Sequence, residues 1–141
     1  MKAGLVKALL AAAAAGLLLF SCGPPKRPGL RPDMAQAQQC LAVGDFQGAL
    51  VSYAAIVESY PGDRDVLREY RGAVEKIKAQ ADRWFEEKDF AAAEKAYSLL
   101  LANLHRLAEF EKPLPFGPES LSRRILECQE QLSERRARQA L

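Results

Sequence analysis

His105 is the only histidine in the chain, so relays that use two imidazoles and metal sites built from several histidines lack their residues. The three cysteines, Cys22, Cys40 and Cys128, stand 18 and 88 residues apart, whereas zinc-binding cysteines come in closely spaced pairs. No glycine-rich phosphate loop is present. Glu86 and Glu87 are adjacent, and neighbours on a helix point in different directions, so they do not form a catalytic carboxylate pair. These residues predict no enzyme, no metal and no cofactor. Their chemistry points instead to attachment and recognition, and the question becomes which elements hold which residues.

Charge narrows the field. The 141 residues carry 20 basic and 18 acidic side chains, but Lys2 and Lys7 lie within the first 21 positions, which hold no acid. From Cys22 onward 18 of each remain, and a balanced chain lacks the basic excess that nucleic-acid binding needs. The basic-looking stretches DRDVLREYR and LSERRARQ are interleaved with acids and read as solvated helix faces. An apolar content of 49% allows one packed domain.

The first residues read as an address. Lys2 and Lys7 precede the 13-residue run ALLAAAAAGLLLF, and Ser21 stands before Cys22. A helix of that length rises about 20 Å, short of the ~30 Å hydrocarbon core of a bilayer. Leu19-Phe20-Ser21-Cys22 resembles the lipobox of bacterial lipoproteins, although Phe20 is bulkier than the usual residue there. The resemblance implies that residues 1–21 are a signal peptide. It also implies that Cys22 carries a diacylglycerol thioether with palmitate-type acyl chains, two or more of which anchor stably. Gly23, in place of the aspartate that tends to retain such proteins at the inner membrane, tilts the expectation toward the outer membrane, facing the periplasm. Residues 22–33 then form a linker: GPPKRPGLRPD has four prolines and three basic residues, and could extend roughly 30 Å as polyproline II.

Residues 34–141 carry helical, not alternating, apolar periodicity, which predicts an all-α domain. Two short helical segments fall between Gln36 and Tyr60, broken at Gly44-Asp45-Phe46. One long helix of about 24 residues runs from Asp63 or Asp65 to about Lys88, with Gly72 its one weak point. A fourth helix is expected from Phe90 to about Phe110 or Glu111. A fifth opens at Pro118-Glu119-Ser120 with the stripe Leu121, Ile125, Cys128 and Leu132, and its end, SERRARQAL, is expected to fray.

GDFQGALVSYAAIVESYP resembles the turn and second helix of a tetratricopeptide repeat (TPR), with Gly44, Phe46, Ala49, Tyr53 and Pro61 at the family's spacings. A second copy, KDFAAAEKAYSLLLANL, places Phe90, Ala93, Tyr97 and Leu100 alike, after Ala81 and Trp84. The copies are 44 residues apart, ten more than the family's 34. Ten residues are close to three helical turns, so a lengthened third helix keeps its inward face. The resemblance implies a stack of antiparallel helices, about two repeats with an elongated third helix and a C-terminal capping helix.

The same resemblance implies a partner-binding groove lined by the first helix of each pair, placing Gln38, Leu41, Ala42, Lys78, Asp82, Phe85 and Glu86 on it, with Leu41 and Phe85 as a joint apolar anchor. Two functional readings follow: an adaptor for another envelope protein, or a structural lipoprotein that self-associates into a homo-oligomer. For Cys40 and Cys128, two separate thiols suffice, since a disulfide would need the last helix to return to the first.

Overall fold

A computed structural model describes residues 32–107 and 112–140; the signal-peptide, Cys22 and linker assignments up to residue 31 lie outside the described residues. Five helices follow one another: α1 (Pro32–Ala42), α2 (Phe46–Ser59), α3 (Arg64–Glu86), α4 (Phe90–Asn103) and α5 (Pro118–Gln139), with a 3-10 turn at Leu104–Leu107. Among the described residues there is no strand, and the helices pack on one another as an all-α stack.

Local chemistry sets most helix starts. Asp45 Oδ1 accepts from the Gly48 N–H at 2.9 Å, Asp63 Oδ1 from Asp65 and Val66 at 3.0 and 3.2 Å, and Asp89 Oδ1 from Ala92 at 3.2 Å. Each such cap contributes about 1 kcal/mol by satisfying N–H groups that the first turn leaves without helical partners. Pro118 occupies the first turn of α5, where its missing N–H costs nothing.

The two hairpin turns share most of their backbone bonds. Asp45 N–H donates to the Cys40 carbonyl at 2.9 Å and Asp89 N–H to that of Trp84 at 2.8 Å; Gly44 N–H reaches Leu41 at 3.3 Å and Lys88 N–H reaches Phe85 at 3.0 Å. Both turns require a left-handed residue, Gly44 at φ 81° and Lys88 at φ 63°. Glycine adopts that conformation freely, and lysine does so at a cost.

Three boundaries differ from the sequence expectation. The first helix begins at Pro32, inside the expected linker, because proline suits a helix's first turn. The fourth helix stops at Asn103: its side chain donates to the Leu99 carbonyl at 2.8 Å, and the Leu104 N–H reaches back three residues to Leu101, tightening the chain into a 3-10 turn. The last helix continues to Gln139, carried by good helix formers and by Arg135 lying over the Phe90 ring, 4.9 Å from its centroid. The third helix runs 23 residues unbroken through Gly72.

The core follows the 44-residue offset. Ala37 and Ala81, Ala49 and Ala93, Tyr53 and Tyr97, and Ile56 and Leu100 are all buried. Small residues let the helices approach, and the aromatic rings fill the space beside them. Tyr53 stacks on Tyr70 at 5.5 Å, joining α2 to the first half of α3, and Phe46 meets Trp84 at 5.8 Å near its far end. The α5 helix covers α4 with Leu121 and Cys128 buried and Ile125 and Leu132 partly so, and Gln129 donates to Glu94 at 2.7 Å.

Candidate functional site

The seven groove residues named from sequence fall into three places. Gln38, Leu41 and Ala42 line a cleft of about 440 Å³ between α1 and α3. Its α3 wall is made by Arg68, Glu69, Gly72, Ala73 and Lys76, with Tyr53 beneath. The Gln38 amide donates to Glu69 at 3.0 Å, tying the two walls. Burial, and then the nearby Glu69 carboxylate, push the Tyr53 phenol up to about 12.

Lys78 and Asp82 are not on that cleft. The Lys78 ammonium donates to both Asp82 oxygens at 2.7 Å, and the Tyr97 hydroxyl donates to the same carboxylate at 2.7 Å. Lys78 also lies 5.6 Å from the Tyr97 ring centre and 5.7 Å from that of Phe116. Burial first, and then the hydrogen bond to Asp82, raise the Tyr97 phenol far above its ordinary value. With side chains 19% and 42% exposed, this pair knits α3 to α4 and to the segment before α5.

Phe85 and Glu86 line a second cleft of about 370 Å³ with Phe90, Glu127 and Glu130. Phe85 meets Phe90 edge to face at 5.3 Å, and the Arg124 guanidinium sits 4.4 Å from the Phe85 ring centre while donating to Glu127 at 3.0 Å. The expected joint anchor of Leu41 and Phe85 is therefore not formed. Phe85 stands nine residues, roughly 13 Å of helix, beyond Lys76, and the lengthened α3 puts the two in separate clefts.

A third cleft, of about 490 Å³, lies between α2 and α4 over Phe46 and Trp84. Cys40 and Cys128 are both free thiols; Cys128 is buried, and burial followed by Glu94 and Glu127 raises its thiol to about 11, so it stays protonated at neutral pH. Among the described residues no three His, Cys, Asp or Glu side chains converge as metal ligands would, and no helix is long and apolar enough to cross a membrane.

Sequence reasoning missed Arg68, Glu69, Gly72 and Lys76 as cleft residues. The signal for them was Gly72: a glycine in the middle of a long helix costs about 1 kcal/mol relative to alanine, and it marks the wall of the first cleft. Among the described residues the fold is an all-α stack with clefts that α1, α4 and α5 each help to line. Compared with known proteins, the chain matches no family model, no curated protein and no solved structure.

Proposed function

We propose that the chain is a lipid-anchored adaptor of the bacterial cell envelope, tethered to the periplasmic face of the outer membrane through Cys22, with a small TPR-like domain that binds another envelope protein and performs no catalysis. The observation that carries this reading is the cleft between α1 and α3, to which Gln38 and Leu41 contribute as the repeat resemblance implies. The 44-residue offset in turns and core supports the repeat. The anchor rests on the Leu19–Cys22 motif and on ~0.8 kcal/mol of membrane affinity per buried methylene.

Two experiments test it. Acyl labelling should mark the protein and send it to the detergent phase, and Cys22→Ser should abolish both; a serine variant that stays equally membrane-bound refutes the anchor. A photo-crosslinking side chain placed at Leu41 should capture a discrete envelope protein in cells, while one at Leu126, exposed on α5, should not. Capture of a second copy of this chain at Leu41 would replace the adaptor reading with self-association.

A further inference from the structure

The chain that joins α4 to α5 runs along α3. Lys112 sits beside Arg71, whose guanidinium donates to the Lys112 carbonyl and, at 3.1 Å, to that of Pro113. Phe116 sits beside Lys78, with the ammonium 5.7 Å from its ring centre. Arg71 and Lys78 are two turns apart on α3, about 10 Å along the axis, so residues 112–116 follow the helix as an extended chain. The prolines at 113 and 115 enforce that form. Each fixes its own φ and pushes the residue before it, Lys112 or Leu114, away from the helical region.

These residues are held as a bound peptide is held. Among the described residues, 112–116 make no backbone-to-backbone hydrogen bond. Their polar fastening is Arg71, whose Nε donates to Glu75 at 2.9 Å and is oriented by it. Leu114 and Phe116 stand two residues apart, able to face the same way in an extended chain, and lie half-buried against the core, while Lys112, Pro113 and Pro115 are exposed. A segment with few apolar contacts and no ladder of backbone bonds opens at a lower free energy than the helices around it. The cleft on the other flank of α3, beside α1, already stands open.

We propose that residues 112–117 are an autoinhibitory strap, an internal occupant that keeps the Arg71–Lys78 flank of α3 closed to other chains and gives way to an extended, proline-containing segment of a partner with two apolar side chains two residues apart. The strap's own chemistry specifies that segment. Arg71 reads backbone carbonyls, which any extended chain presents, while Lys78 and the core beneath favour an aromatic ring and a leucine. The strap adds a second, gated surface to the adaptor, and rests on the adaptor reading only for the existence of a partner.

The probe is a labelled synthetic peptide that copies the strap, KPLPFG, titrated by fluorescence anisotropy on the detergent-solubilised full chain. The double variant Leu114→Ser/Phe116→Ser loosens the strap and should bind the peptide about tenfold or more tightly than the parent, because an occupied site weakens apparent affinity in proportion to the fraction that is open. Adding Arg71→Ala should remove that gain, and a peptide with serine in place of its leucine and phenylalanine should not bind. A second measurement keeps the strap intact and serves where the double variant loses its helices. A spin label on Pro115→Cys, an exposed position, in a Cys40→Ala background should become more mobile when unlabelled peptide is added in excess. A folded double variant that binds the peptide no better than the parent, or a spin label whose spectrum the peptide leaves unchanged, overturns the strap. Either failure leaves the adaptor reading to its own test at Leu41.

Discussion

The α1–α2 and α3–α4 hairpins are built on one plan and put to different uses. Their turns share the same capping aspartate and most of their backbone bonds, and their cores share Ala, Tyr and aliphatic residues 44 positions apart. The differences lie on the face that meets the next helix. Where the first hairpin has buried Met34 and half-buried Gln38, the second has Lys78 and Asp82. Where the first has Leu41 lining an open cleft, the second has Phe85 with Arg124 laid across it. A few side chains thus decide that α5 is clamped against the second hairpin while the cleft beside the first stays open.

Removing the shared framework should have the largest effect. Tyr53→Ala and Tyr97→Ala each delete a fully buried ring and should each cost about 3–5 kcal/mol in denaturant unfolding; a Tyr53→Ala variant of near-normal stability would break the equivalence of the hairpins. Alkali should act on both at once. Tyr53 and Tyr70 titrate at about 12 in the folded protein and Tyr97 is raised still further, against about 10 when unfolded. A raised folded value means that the stabilisation is complete below about pH 10 and is lost as pH climbs toward about 12. With the exposed Tyr60 replaced by phenylalanine, tyrosinate absorbance and helical circular dichroism should therefore change together in that window, and tyrosinate forming near pH ~10 with the helices intact would contradict the burial.

A smaller effect separates the two hairpins. Asp82→Ala deprives the Tyr97 hydroxyl and Lys78 of their acceptor and should cost about 1–2 kcal/mol, since the carboxylate is partly exposed. Gln38→Ala, at the equivalent place, should cost under about 1 kcal/mol because it loses only one part-exposed bond. Equal losses would mean that the second hairpin's ion pair adds nothing. The smallest change sharpens the turn comparison: Lys88→Gly should stabilise by about 0.5–1 kcal/mol and Gly44→Ala should destabilise by a similar amount, both read from thermal melts. No side chain crowds Gly44, so that loss reports backbone strain alone.

The same contrast shows where sequence reading succeeds. Asp45 and Asp63 announce their helices because a cap is made within three residues, and the stripe from Val66 to Trp84 gives α3 its length because periodicity is a property of one segment. The end of α4 was not legible, since an asparagine bonding back to its own helix competes with continued helical bonding only once neighbours hold it there. Nor was the persistence of α5 to Gln139, which draws on Arg135 reaching Phe90, 45 residues away.

By itself the sequence determined that this protein is a set of capped, amphipathic helices, with two copies of one hairpin, the second of which opens on a long helix. Those features are local, settled by bonds and side-chain spacing within a turn or two. Only the tertiary structure decided which residues share a cleft: that Gln38 meets Glu69 across 31 positions, that Lys78 and Asp82 turn to Tyr97, and that Gly72 lines the same cleft as Gln38 and Leu41. Such groupings depend on how far each helix slides past the next, and that register is set by packing between segments that no single stretch of sequence contains.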